Sequence, residues 1–285
     1  MIYWDNVDVI IGGSTGIMAD GASFSSKNSL TPVYSIGNIG THSITPNGPI
    51  TNEFSFSYSP LVNGDPNFDI ANGIKELTNH LYTGVTIEVN GITGFDCRLK
   101  SLSYQIRPND IVRANATYES FVNTSGNAFA NHSYSGDYKN KNDIAHGWTT
   151  YFNTQSDYFE APIYNLSYSF EANFSPRYTL GRKEAVQVSF MSATERIDID
   201  QDTYSPIQFS GEDVFTSLLV NNTSGLDFMT LNIVGYSEYD TGVKPFTGDY
   251  TNMTINLSGM KIAQSNVDAK INDILANKLS LIKYF

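Results

Sequence analysis

The chain has 285 residues, a formal net charge of −12 and a composition rich in tyrosine and phenylalanine, with only 16% charged residues. Two domains are the expected number for this length, and an apolar fraction of 40% argues against a disordered chain. A chain this acidic, with no sizeable basic cluster, repels phosphates, which disfavours ordinary binding to DNA or RNA.

The sequence also argues against several compartments and cross-links. The single cysteine, Cys97, excludes an internal disulfide. No segment approaches the ~20 apolar residues of a membrane span, and the first residues have no basic stretch followed by a long apolar run. We therefore expect a soluble protein that folds in a cytoplasm.

Residues 1–122 are predicted to form a first β-rich unit. Strict alternation places Phe54, Phe56 and Tyr58 on one face of a strand and polar residues on the other. A helix is expected after Asp65-Pro66, because apolar residues recur at helical spacing until Gly84. The other predicted strands are Val9–Ile11, Met18–Ser25, Val33–Ile36, Val85–Val89, Phe95–Tyr104 and Ile111–Val122, with turns at Ser29–Pro32, Thr45–Pro49 and Asn90–Gly91.

Residues 123–158 form a polar connector or arm. Its main aromatic residues after residue 140 are Trp148, Tyr151 and Phe152. Loops of this length are functional or flexible. Two interpretations stay open: an inter-subunit arm that docks these aromatic residues on a neighbouring subunit, and a connector that packs on its own domain.

Residues 159–285 are predicted to form a second β-rich unit with the same order of elements. Strands are expected at Ile163–Phe170 and Tyr178–Leu180, and then where isoleucines alternate with Asp198 and Asp200. A short helix is expected within Gly211–Val220. The end of the chain fits a helix or an alternating strand, and we favour a strand that continues into a C-terminal arm.

The two units contain similar blocks in the same order. Chance similarity among Ser- and Asn-rich strands is the alternative explanation, but the near-constant spacing favours duplication of a domain of ordinary size. The first two pairs of blocks share one offset, and an insertion at Ser237–Gly248 accounts for the wider spacing of the last pair. The matched blocks are Leu30–Gly37 with Phe174–Gly181, Val85–Gly91 with Met229–Gly235, Tyr58–Pro60 with Tyr204–Pro206, and Leu99–Ile106 with Ile255–Ile262.

No motif indicates catalysis, a cofactor or a metal ion. The four histidines have no partners at ligand spacing, and the glycine-rich stretch that begins at Gly12 lacks the Lys-Ser/Thr ending of a phosphate-binding loop. Asp198, Asp200 and Asp202 match the start of a calcium-binding loop, but its required glycine and glutamate are absent. We therefore expect a protein that is not an enzyme.

Three short blocks resemble the tail tube proteins and related structural proteins of tailed bacteriophages. The blocks are Tyr34–Gly37, Thr45–Ile50 with its Asn-Gly-Pro turn, and the alternating strand Phe54–Tyr58. The predicted helix after that strand also fits. In the second unit the stretch from Lys183 to Ala193 lacks the Asn-Gly-Pro turn, so the two copies differ at this point.

The resemblance implies two tandem β-sandwich or barrel domains, each with a flanking helix. In that family six tube domains form a ring, rings stack into a tube, and some chains fuse two tube domains so that three chains make a pseudo-hexameric ring. It implies a virion structural protein, assembled in the host bacterial cytoplasm, with itself and other tail proteins as partners: a hub, a terminator, a tape measure or a sheath.

On this interpretation DNA passes through an acidic lumen without specific binding. The alternating strands predict that the lumen is lined by Glu53, Ser55, Ser57, Asp198, Asp200 and Asp202. Two alternatives stay open. One is a baseplate hub or distal tail component, and the other is a glycan-binding adhesin that uses exposed aromatic residues.

Overall fold

The computed structural model of the protein describes part of the chain. The described residues are 7–12, 15–33, 43–60, 78–126, 145, 151–153, 158–159, 163–202, 208–209, 212–213, 230–234, 252–256, 259–268 and 276–285. Within them the protein is mainly β, as predicted, and the helical structure is one π-helix of six residues, Thr78–Thr83.

The strands differ widely in length. In the first half they are β1 (Val7–Ile11), β2 (Thr15–Val33), β3 (Ser43–Tyr58), β4 (Val85–Val89), β5 (Ile92–Ile106), β6 (Arg113–Ser120) and β7 (Ser125–Gly126). In the second half they are β8 (Tyr151–Asn153), β9 (Tyr158–Phe159), β10 (Ile163–Arg177), β11 (Gln187–Asp202), β12 (Gln208–Phe209), β13 (Glu212–Asp213), β14 (Thr230–Val234), β15 (Asn252–Asn256), β16 (Lys261–Asp268) and β17 (Ala276–Tyr284).

Six strands of the first half close into an antiparallel barrel. The pairing runs from β5 to β4, β1, β2, β3 and β6, and β6 pairs with β5 again. The alternating sequences explain which side chains fill the interior of the barrel, because every second side chain of a strand points to the same face. Phe54, Phe56 and Tyr58 of β3 are buried beside Tyr118 of β6.

The sheet continues from this barrel into the second half. On the edge of β5 opposite β6, residues Ser101–Ile106 pair with Leu166–Glu171 of β10, and the sheet then runs through β11 and β17 to its edge strand β16. One buried apolar cluster contains residues of both halves, and the fully buried rings of Tyr104 and Tyr168 stack at this junction with their centroids 5.8 Å apart.

A buried arginine supports the end of the π-helix. Arg98 of β5 donates hydrogen bonds to the carbonyl oxygens of Leu81 and Tyr82, at 2.7 and 2.6 Å, and to the Asp96 carboxylate at 2.9 Å. The last carbonyls of a helix lack partners within it, so the guanidinium satisfies them where the chain enters β4.

Three predictions of local structure are wrong. The turns predicted at Ser29–Pro32 and Thr45–Pro49 lie inside β2 and β3, where the register shifts after Asn28. Proline, glycine and asparagine form an irregularity in a long strand pair here, because their backbone preferences suit a bulge as well as a turn. The strand predicted at Tyr178–Leu180 is also wrong, because β10 ends at Arg177.

Other predictions fall mainly outside the described residues. The first predicted helix is described only from Thr78, where the chain forms the π-helix. Of Gly211–Val220, the described part is β13. At the end of the chain Ala276–Tyr284 is a strand, so the helical alternative is wrong there.

The pairing of β2 with β3 recurs in β10 with β11. β3 and β11 each have 16 residues. The ends of β2 and β10, at Val33 and Arg177, are separated by the same offset as the first two pairs of sequence blocks. The first register shift lies between Ala19 and Gly21 in β2 and between Ile163 and Asn165 in β10, again at that offset. β2 therefore corresponds to β10 residue by residue at this offset.

The hairpin of β5 and β6 recurs in β16 and β17. Leu99 pairs with Tyr118 just before a register shift, and Ile262 pairs with Leu281 just before the equivalent shift. The offset from Leu99 to Ile262 equals the offset from Tyr118 to Leu281. This equivalence replaces the sequence alignment of Leu99–Ile106 with Ile255–Ile262, which is wrong because it starts seven positions too early in the second copy.

The remaining pairings follow the same plan. The pairs β3–β6, β4–β5 and β1–β4 correspond to β11–β17, β14–β15 and β8–β14. Asp96 and Gly259, which are equivalent at the offset of this second hairpin, both have positive φ angles, of 50° and 77°. A left-handed conformation is unfavourable for most residues and acceptable for Gly, Asn and Asp. These correspondences support an internal duplication. The boundaries 1–122, 123–158 and 159–285 stay a prediction, because sheet and core run through both halves.

Candidate functional site

The candidate site is the polar face of the continuous sheet. In β3 the half-buried side chains of Glu53, Ser55 and Ser57 lie on the face opposite the buried aromatic residues. In β11 the half-buried Asp198 and Asp200 alternate with buried isoleucines in the same way. The last predicted lumen residue, Asp202, ends β11 opposite Ala276.

The two predicted rows lie on one face. Residues directly opposite each other in a ladder point to the same side of a sheet. Ser57 is opposite Asn115, Asn115 is opposite Ser103, Ser103 is opposite Ser169, and Ser169 is opposite Arg196, which neighbours Asp198 on its face. These four steps between neighbouring strands put roughly 19 Å of sheet between Ser57 and Arg196.

Hydroxyl and amide side chains fill the centre of this face. They are not among the predicted lumen residues, although Ser101 and Ser103 alternate with the buried Leu102 and Tyr104 in the same way as those residues do. The missed residues are Ser101, Ser103, Asn115, Thr117, Ser167, Ser169 and Ser280. Alternation identified the polar side of each strand, but not which strands adjoin.

Equivalent positions of the two copies make equivalent contacts. The hydroxyls of Ser55 and Thr117 lie 3.1 Å apart between β3 and β6. In the second copy Ser280 of β17 donates a short hydrogen bond to Asp198 of β11. Ser280 is in the position equivalent to Thr117, and Asp198 is in the position equivalent to Ser55, so each copy joins these two strands at the same place.

Lysine neutralises the carboxylates of the first copy. The Lys100 ammonium lies 3.0 Å from Glu53 and 3.7 Å from Glu119. Burial acts to lower the pKa of Lys100, but the hydrogen bond to Glu53 and the charge of Glu119 outweigh it and raise the pKa. Burial raises the pKa of Glu119, with Lys100 opposing the shift. Lys100 reaches both because it is the extra residue of the register shift in β5.

Arginine does the same in the second copy. Arg196 Nε donates to both oxygens of Asp198, at 2.9 and 2.8 Å, and Arg196 Nη2 lies 3.2 Å from the Ser280 hydroxyl. Asp200 accepts a longer bond of 3.5 Å from the Asn165 amide. The face thus contains charges of both signs among many hydroxyls, and two of its predicted acidic residues have cationic partners.

The predicted aromatic arm is described only in part. Tyr151 and Phe152 lie in β8, whose backbone pairs with β14 and β9 of the same chain. Trp148 lies outside the described residues. The backbone contacts of β8 match the interpretation that this segment packs on its own chain, and the role of the arm between subunits stays a prediction.

The described residues offer few features for chemistry. No group of three or more His, Cys, Asp or Glu side chains in them is arranged to hold a metal ion. In the described part of the chain, no helix has both the length and the apolar character to cross a membrane. Comparisons with models of known protein families and with curated proteins give no match.

Proposed function

We propose that the chain is a tail tube subunit of a tailed bacteriophage. Each chain supplies two copies of one tube domain, three chains form a pseudo-hexameric ring, and rings stack into a tube that conducts the genome. The subunits assemble in the host cytoplasm and remain in the virion, in contact with other tail proteins.

The recurrence of strand pairing carries this proposal. Two equivalent copies within one chain are what a ring of three chains needs to reach six similar positions. The register shifts of β2 and β5 recur in β10 and β16, a correspondence that alternation alone would not create. The junction of β5 with β10 also indicates how two copies can stand side by side in one sheet.

The polar face suits the wall of a DNA channel. Its serine and threonine hydroxyls can hydrogen-bond with water, and its carboxylates are partly neutralised by Lys100 and Arg196. Non-specific DNA binding grows with the number of phosphates that basic residues neutralise. A hydroxylated face on which Lys100 and Arg196 are already paired with carboxylates is therefore suited to let DNA pass with little retention.

Electron microscopy of the purified protein tests the proposal. We expect annuli with six similar lobes, or hollow stacked tubes, and a mass of three chains per ring by light scattering. A protein that stays monomeric at all accessible concentrations contradicts it. Copy number per virion separates a tube subunit, present in many rings, from a hub or distal tail component, present in one.

A further inference from the structure

The junction between β5 and β10 is an edge-to-edge contact between the two copies. It contains six residue pairs, from Ser101 opposite Glu171 to Ile106 opposite Leu166. Among the described strands it is the one ladder that joins the first half of the chain to the second. Its buried side is apolar, with Tyr104 stacked on Tyr168 and Leu102 opposite Phe170.

Each copy contains both sides of such a junction. The strand equivalent to β5 in the second copy is β16, and the strand equivalent to β10 in the first copy is β2, as their shared register shifts show. The internal contact uses β5 of the first copy and β10 of the second. It leaves β2 of the first copy and β16 of the second without the equivalent contact.

Both remaining edges are open within the described residues. β1 covers β2 only as far as Ala19, and β3 lies on the other side, so residues 22–27 of β2 have one free edge among the described strands. β16 is the last strand of the sheet and pairs only with β17 there. Lys27 on the first edge and Gln264 on the second are exposed.

We propose that β16 of one chain pairs with β2 of a second copy of the chain, antiparallel and in the register of the internal junction. Transferring that register through the equivalences of β10 with β2 and of β5 with β16 puts Lys27 opposite Gln264, Ser25 opposite Asn266, and Phe24 opposite Val267. This inference rests on the duplication in the proposed function, but not on a role in a virion.

The resulting pairs match in polarity. Phe24 and Val267 take the places of Tyr168 and Tyr104, so this pair of the buried side stays apolar, and Ser26 and Ser265 take the places of Phe170 and Leu102. Lys27 and Gln264 take the places of Glu171 and Ser101 on the polar face. An unpaired strand edge is a template for another strand, and here both edges belong to the same chain.

The contact is head-to-tail, because it joins two different surfaces. Such contacts repeat from copy to copy until a ring closes, or else they form an open filament. Every chain then contributes one internal and one external junction of the same kind, and the polar face continues across each of them.

Cysteine cross-linking tests the proposed register. Residues directly opposite in an antiparallel pair have Cα atoms about 4.5–5.5 Å apart, within the usual range for a disulfide. The variant with Lys27→Cys and Gln264→Cys should form, under mild oxidation, covalent dimers, trimers and a closed product that disappear on reduction. Each single variant should remain at the mass of one chain, because a head-to-tail contact does not bring two identical positions together.

Two further variants serve as controls. Glu171→Cys with Ser101→Cys spans the internal junction and should form a disulfide within one chain. Lys27→Cys with Lys261→Cys is out of register and should give no covalent oligomers. The native Cys97 does not interfere, since burial raises the pKa of its thiol to about 12 and cross-linking requires the thiolate.

The outcomes separate the inference from the proposed function. Covalent oligomers from the variant with cysteines at residues 27 and 264 support the inference, whether micrographs show tubes or open fibres. Open fibres would count against the tube alone. If the internal control forms its disulfide but the variant with cysteines at residues 27 and 264 gives no covalent oligomers, the inference is wrong. Rings that form without such covalent oligomers would leave the tube in place and overturn only the assignment of its interface.

Discussion

Glu195 of β11 is a buried carboxyl in the second half of the protein. It is 3% exposed, and the Tyr168 hydroxyl donates a hydrogen bond of 2.9 Å to it. Its equivalent in the first copy is Asn52, which is buried and donates a bond to the Val122 carbonyl oxygen. Burial raises the pKa of Glu195, and the Tyr168 bond and the charge of Lys283 oppose the shift without cancelling it.

We expect Glu195→Gln to raise the melting temperature at pH 7. Because the pKa of the carboxyl in the folded state lies above its ordinary value of 4.5, ionisation favours unfolding as the pH rises through that folded value. Below pH 4.5 the carboxyl is protonated in both states, so the stability difference from the wild type should shrink towards zero.

Thermal unfolding followed by circular dichroism between pH 4 and 8 measures this difference. Glu171→Gln, at an exposed position of the neighbouring strand, is the matched control and should change the melting temperature little at any pH. A gain for Glu195→Gln that is equal at pH 4 and pH 8 would show that ionisation is not its cause.

At the scale of elements, β5 connects the largest number of strands. Along its 15 residues it pairs with β4 and β7, then with β6 and β10 on opposite edges. Leu102 lies where β5 has partners on both edges, opposite Ala116 and Phe170, and is 1% exposed. The core of both halves therefore depends on this strand.

We predict that Leu102→Ala lowers the free energy of unfolding by about 2–5 kcal/mol, the range for a large side chain removed from a packed core. Gln105→Ala, on the exposed face of the same strand, should cost under about 0.5 kcal/mol. Urea titration followed by tryptophan fluorescence and circular dichroism measures both. Equal costs for the two variants would contradict the assigned faces of β5.

The sequence predicts local elements well and their neighbours poorly. Val85–Val89 is a strand with the predicted bounds, since its β-branched residues lie between a glycine and a turn. The Asn90–Gly91 turn is confirmed, because both residues adopt the positive φ angles that a tight hairpin requires. The sequence predicts two strands and a turn in the region of the single long strand β2, because proline and serine at a register shift are also typical of a turn.

The candidate site shows the same limit. Alternation alone places Glu53 and Asp198 on polar faces. It does not show that these faces are continuous, because strand partners are set by long-range packing and not by local preference. It also gives no sign that Lys100 reaches Glu53, since that contact depends on the register shift in β5.

At the scale of the whole molecule, the polar face contains two groups in which charges of opposite sign are paired. Lys100 with Glu53 and Glu119 forms one group in the first copy, and Arg196 with Asp198 forms the other in the second. Around a ring these groups would alternate on the wall, with serine and threonine between them. Added positive charge on this face should therefore increase the retention of DNA, and the same charge elsewhere on the protein should increase it less.

We predict that replacing Asp198, Asp200 and Asp202 with lysine leaves assembly possible but makes assembled rings retain double-stranded DNA. Unpaired lysines on the wall would neutralise phosphates and release counterions, so retention should weaken steeply as salt rises. DNA retention by assembled rings, measured by gel shift at several salt concentrations, checks this. Asn123→Lys, at an exposed position of the loop between β6 and β7, is the control. Wild-type and substituted rings that release DNA equally would argue against a channel wall at these positions.

The covalent link between the halves has a kinetic consequence. The contact of β5 with β10 forms within a single chain, at a local concentration that dilution cannot change. In a closed ring of such chains, half of the seams would be in place before any two molecules meet. Dilution would then separate intact pairs of lobes and never single lobes, and growth would proceed in steps of two.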